Sequence, residues 1–174
     1  MKSHTALLVI DVQEGMFVPE YPVFEGEVLL DKIEGLISKA RASQVPVIYI
    51  QHNEEPGEQL VPHSKDWQIQ SRVSPEEGDC IVQKRKPDGF HETDLQENLE
   101  SLGTRKLVIT GIQTDICINA TSKRASQLGY EVVVAEDAHT TYGQGDRTAS
   151  EIIKEYNDQF RSFAEVRPAE TILF

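Results

Sequence analysis

Lys106-Leu-Val-Ile-Thr-Gly-Ile-Gln-Thr-Asp-Ile-Cys-Ile-Asn-Ala-Thr121 is the stretch on which the reading turns. Leu107 to Ile109 form a short apolar run with β-branched residues, the kind that fills a parallel strand buried on both faces. Thr110-Gly111 breaks the run. A helix can be drawn from Thr114, which suits an N-cap. Cys117 then falls in the first helical turn, where free N–H groups and the positive end of the helix dipole favour a thiolate. A nucleophile on a strand-to-helix turn is a recurring catalytic arrangement. The competing reading is packing alone, since free cysteine is among the most buried residue types. This segment leaves both open.

Working outward, the same pattern repeats. Thr5 to Ile10 is a continuous apolar run ending on Asp11, and a carboxylate at the carboxyl end of a central strand lies where open α/β sheets bind ligands. Asp11 could equally cap the next turn. Val45 to Ile50 reads as a second strand, with Pro46 at its tolerated start. Asp79 to Gln83 reads as a third, followed by Lys84-Arg85-Lys86, either a solvated patch or a source of one cation beside a thiolate. Glu131 to Ala135 is a fifth strand with Glu136 to His139 beyond its end, and Phe163 to Val166 a final edge strand. Helices are predicted from Glu27 to about Ser43, from Thr93-Asp94-Leu95 with Leu95, Leu99 and Leu102 on one face, and from Thr114 to Leu128. A last one is capped by Asp146 and carries Ala149, Ile152, Ile153 and Tyr156. The alternation of strands and helices predicts a mostly parallel sheet with helices on both faces and right-handed crossovers. Asp11, Lys84 and Cys117 each follow a strand, so all three can meet at the carboxyl edge.

The chain's 174 residues suit one domain, residues 1–174. A net charge of -12 argues against nucleic acid or an anionic membrane as a partner. Two cysteines, Cys80 and Cys117, make no secreted-type disulfide framework. With no apolar leader or membrane-length run, the expected location is cytoplasmic. Gln51 to Gly78 is long and irregular, and loops of that length are usually functional. It carries His52, His63, Asp66 and Trp67. The histidine spacing matches no helical pair or finger pattern, so metal binding is not expected. Trp67 reads as a wall or lid aromatic, Phe17 as a pocket lining or loop anchor, and His139 as a base for a Cys–His pair or an ordinary loop histidine.

Three segments resemble the isochorismatase-like superfamily of cysteine hydrolases, which includes nicotinamidases and N-carbamoylsarcosine amidases. They are Leu7-Leu-Val-Ile-Asp-Val-Gln13, then Val82-Gln-Lys84 with Phe90 and Thr93-Asp-Leu95, and Ile109-Thr-Gly-Ile-Gln-Thr-Asp-Ile-Cys117. The resemblance implies an α/β fold: a three-layer, doubly wound, mostly parallel six-stranded sheet in a Rossmann-like order. It implies a catalytic triad of Asp11, Lys84 and Cys117, with Lys84 preferred to Lys86 by its spacing to Phe90. It also implies a cis peptide between Ile112 and Gln113 and an oxyanion hole made by the Gln113 and Cys117 N–H groups. Gln13, Phe17, Trp67, Phe90 and Thr114 are expected to line the substrate pocket.

The implied activity is cysteine-dependent hydrolysis of a C–N bond in a small amide, carbamoyl or ureido compound, through a thioester acyl-enzyme. Isochorismatases proper lack the cysteine, so Cys117 favours amide chemistry. Nicotinamidases carry an Asp-x-His pair for a divalent metal, whereas this chain reads Gln51-His52-Asn53, so no metal and no cofactor are expected. The expected partners are a small-molecule substrate and further copies of the chain, as a dimer or tetramer. Two alternatives stand beside this: a metal-dependent nicotinamidase-like amidase using His52 and His63, and a non-catalytic, redox-sensing relative.

Overall fold

Each apolar run becomes a strand in the computed structural model, which describes residues 4–174. The strands are β1 (Thr5–Ile10), β2 (Val47–His52), β3 (Cys80–Lys84), β4 (Lys106–Ile112), β5 (Glu131–Thr140) and β6 (Glu165–Arg167). They form one sheet in the order β3-β2-β1-β4-β5-β6, and every pairing is parallel. Four helices connect them: α1 (Gly26–Ala42), α2 (Leu95–Ser101), α3 (Asn119–Gln127) and α4 (Ala149–Phe160). From β1 the chain builds outward through β2 to β3, then returns to the far side of β1 with β4. The order reverses between β1 and β4, and doubly wound sheets bind ligands at the carboxyl ends of the strands at such a switch point.

Alternation along the buried strands divides the core into two layers. Leu7, Val9, Val47, Tyr49, Val108 and Val133 pack beneath α1, against Leu30, Ile33, Leu36 and Ile37. Ala6, Leu8, Ile10, Ile48, Ile50, Leu107 and Ile109 face the other way, onto Leu95 and Leu99 of α2, Ala125 of α3 and Phe160 of α4. At Gly111 (φ 130°) an added Cβ would collide with the Ile10 backbone, so glycine permits β4 to close against β1 at the switch point.

Four local expectations are corrected. The chain after β4 does not enter an α-helix at Thr114: Thr114–Ile118 is a π-helical turn, in which the Gln113 carbonyl accepts from the N–H groups of Ile116 and Ile118 (both 3.1 Å). Strand β5 does not stop at Ala135. It bulges past a register shift opposite Thr110 and resumes with His139 beside Gly111 and Thr140 beside Ile112. The cap of α4 is Thr148, not Asp146. Its hydroxyl accepts from Glu151 N (3.2 Å) while the Glu151 carboxylate accepts from Thr148 N (2.8 Å). Leu102 lies past the end of α2 and is exposed rather than packed.

Candidate active site

Asp11 follows β1 in a left-handed conformation (φ 53°) that Asp tolerates better than most residues. Lys84 is the last residue of β3, in register with His52 at the end of β2. Cys117 sits on the π-helical turn after β4. Three strand ends therefore deliver three side chains to one point, and all are buried. Lys84 Nζ lies 2.9 Å from Asp11 Oδ2 and 3.3 Å from Cys117 Sγ. The other carboxylate oxygen, Asp11 Oδ1, is buried without a hydrogen-bond partner. The neighbouring cations behave differently: Arg85 is exposed and pairs with Glu55 at 3.2 Å, and Lys86 is exposed.

Burial, and then Asp11, push the Cys117 thiol well above its ordinary pKa, and Lys84 only partly opposes them. Burial disfavours the Lys84 ammonium, but Asp11 and Cys117 outweigh it and hold its pKa above the ordinary value. Lys84 is thus favoured as an ammonium between Asp11 and the Cys117 sulfur. Charge on sulfur must develop as its proton leaves, with Lys84 already in place to stabilise it.

Around this point the Ile112–Gln113 peptide is cis. The Gln113 N–H has no hydrogen-bond partner among the described residues. Sequence reasoning missed one close neighbour: His52 Nδ1 is 2.8 Å from Lys84 Nζ. The signal was available, because His52 occupies the same carboxyl-end position on β2 that singled out Asp11 on β1.

The residues expected to line a pocket are mostly employed elsewhere. Gln13 is fully buried, and its amide donates to the carbonyls of His52 (3.0 Å) and Trp67 (2.9 Å) while accepting from His52 N (2.9 Å). It braces two chain segments and has no free edge for a ligand. Thr114 is fully buried and bonded to His139 Nδ1 at 2.7 Å. Trp67 is buried rather than a lid, its indole N–H donating to Asn53 Oδ1 at 2.7 Å. Phe17 is half-buried against the α1-side core, its ring filling the space a side chain on Gly26 would need. Phe90 stacks on Tyr130 at 6.0 Å, next to the amino end of β5, and packs against the core layer that holds Cys117.

His139 is buried in β5, with its second nitrogen 2.8 Å from Asn157 Oδ1, so both ring nitrogens are taken and neither serves Cys117. The donors weighed for a metal do not converge. His52 faces an ammonium, His63 leans on the Trp67 ring, and Asp66 accepts from Gln59. Among the described residues no group of three or more His, Cys, Asp or Glu side chains is placed to hold a metal ion. These residues do not fit a nicotinamidase-type metal.

Comparison with known proteins adds three findings. The Isochorismatase domain profile matches residues 5–168. Among curated relatives, streptothricin hydrolase of Streptomyces noursei is 35% identical over 137 residues, covering 79% of this chain and 50% of that protein, so the chain spans about half its length. Nicotinamidase 3 of Arabidopsis thaliana is 28% identical (80% and 74% covered), and ureidoacrylate amidohydrolase of Klebsiella pneumoniae is 26% identical (78% and 73%). Among solved structures, an isochorismatase of Pseudomonas putida superposes with a TM-score of 0.92 at 27% identity over 98% of this chain and 90% of that one. A cysteine hydrolase of Pseudomonas syringae superposes with a TM-score of 0.88 at 25% identity (96% and 89%).

Proposed function

The chain belongs to the isochorismatase family, and from that membership and the site we propose a cysteine-dependent hydrolase that cleaves a C–N bond of a small amide, carbamoyl or ureido compound. The observation that carries this reading is the buried Lys84 ammonium, held between Asp11 Oδ2 and Cys117 Sγ. Relatives named nicotinamidase and ureidoacrylate amidohydrolase, and a cysteine hydrolase among the structural neighbours, support it.

In this reading Asp11 Oδ1 takes the Cys117 proton as sulfur attacks the carbonyl carbon, and Lys84 stabilises the charge forming on sulfur. The carbonyl oxygen becomes an oxyanion held by the Gln113 and Cys117 N–H groups, each such donor being worth about 3 kcal/mol. Collapse breaks the C–N bond, and Asp11 returns the proton to the departing nitrogen. Water then attacks the thioester, Asp11 accepts its proton, and the proton passes to sulfur as the acid leaves. The reading carries a small-molecule substrate and a homo-oligomer, dimer or tetramer. A redox sensor would need a low-pKa thiol and no turnover of any amide, which thiol titration and the amide panel tell apart.

The test is ammonia release from a panel of primary amides, carbamoyl compounds and ureas, with and without chelator. Wild type is expected to turn over at least one compound regardless of chelator, and Cys117→Ala to lose at least about 10³-fold in kcat. Full activity in Cys117→Ala would sink the covalent route, and loss on chelation would favour a metal enzyme.

A further inference from the structure

Lys84 has three N–H bonds and three partners: Asp11 at 2.9 Å, Cys117 at 3.3 Å and His52 Nδ1 at 2.8 Å. An ammonium can only donate, so His52 Nδ1 accepts, and the hydrogen of the neutral ring is then on Nε2. Burial and the adjacent Lys84 lower the His52 pKa, against weaker opposition from Asp11, Glu54 and Glu58. The ring therefore stays neutral at ordinary pH.

Its Nε2–H is unused among the described residues. The fully buried side-chain atoms that lack a partner are Asp11 Oδ1, Asn119 Oδ1 and Ser122 Oγ, and His52 Nε2 is not among them. The half-buried ring thus keeps a free donor that is not fully buried, one hydrogen bond from the lysine that touches sulfur. Its backbone is fixed as well, since the Gln13 amide holds both the His52 N–H and its carbonyl. With all three of its N–H bonds occupied, Lys84 has none left for a substrate oxygen.

We propose that His52 is a specificity-determining residue whose Nε2–H donates to a second, neutral oxygen of the substrate, beyond the carbonyl that Cys117 attacks. The substrate class narrows to compounds with a second carbonyl or ureido oxygen close to the bond that is cut. This rests on the hydrolase reading above. A site built to hydrogen-bond such an oxygen discriminates against analogues that lack it.

The experiment uses paired primary amides with and without that oxygen, malonamide against butanamide being the smallest pair, and malonamic acid as a charged third member. In wild type kcat/KM favours malonamide. His52→Asn keeps an acceptor for Lys84 but has no Nε2–H, so the malonamide-to-butanamide ratio is expected to fall about tenfold, chiefly through KM. His52→Gln, whose amide reaches the Nε2 position, is expected to recover most of the ratio. The alkylation rate of Cys117 by iodoacetamide reports whether Lys84 still holds the thiol.

An unchanged ratio in His52→Asn overturns the proposal. So does an equal loss on both amides with slowed alkylation, which would make His52 a prop for Lys84. A preference for malonamic acid would overturn the neutral-oxygen assignment. A wild type silent on every compound would sink the hydrolase reading and this inference with it, a result set apart from the others by the parent enzyme.

Discussion

His139 occupies surroundings quite unlike those of a loop histidine. Asn157 Nδ2 donates to the Glu136 carbonyl at 3.0 Å, which turns Asn157 Oδ1 toward the imidazole. His139 Nε2–H must then donate to Asn157, leaving Nδ1 to accept from the Thr114 hydroxyl. Burial drives its pKa down to about 4. The unfolded chain protonates this ring near its ordinary value of 6.5 and the folded chain near 4, so between those values the unfolded state binds more protons. Stability from this residue is therefore complete above 6.5 and is lost as pH falls through 4, a total of about 3 kcal/mol. Urea denaturation across that interval should show the loss in wild type. His139→Gln, which keeps a donor and an acceptor but does not titrate, should lack that component. Parallel pH profiles for the two proteins would refute the assignment.

Among the elements, α4 shows how a helix start is chosen. Asp146 and Thr148 are both acceptable cap residues, but Asp146 lies in the turn closed by the Gln144–Arg147 bridge. Only Thr148 has a glutamate three residues on that can bond back to its own N–H. Thr148→Ala removes the hydroxyl that accepts from Glu151 N, and is expected to cost about 1 kcal/mol. Asp146→Ala should stay within about 0.5 kcal/mol of wild type. Chemical denaturation of the two variants checks the order. A larger loss at Asp146 would show the cap to be misplaced.

For the molecule as a whole, the long segment between β2 and β3 is a cover tied by hydrogen bonds to the chain that follows β1. Glu14 N and Gly15 N donate to the carbonyls of Gln68 and Asp66, at 2.8 and 2.9 Å, and Gln13 bridges to Ile69. The Gln13 side chain adds the link to Trp67 and His52, and Gln51 Nε2 also donates to the Trp67 carbonyl at 3.0 Å. Gln13→Ala would strip buried backbone groups of a partner on both sides of the clamp, at a cost of about 1–3 kcal/mol. Limited proteolysis is expected to cut first between residues 54 and 66 in that variant, with wild type resistant there. Equal resistance would mean that the backbone bonds alone hold the cover.

What could be read before folding was whatever is local or repeated. Apolar runs named the strands because strands buried on both faces carry their own signature. The placement of Asp11, Lys84 and Cys117 after three such runs located one edge of the sheet, since parallel strands all point their carboxyl ends the same way. The resemblance supplied the Ile112–Gln113 cis bond. What tertiary structure alone decided was how each polar or aromatic side chain is used. Gln13, Thr114 and Trp67 resembled pocket residues until contacts 14 to 54 residues away in the chain occupied their polar atoms. Phe90 was drawn to Tyr130 in the same way. His52 became the third partner of Lys84 through strand register, which no spacing along the chain encodes. A hydrogen-bond donor or an aromatic ring carries no record of its partner, because that partner arrives only when distant segments pack and water is excluded between them.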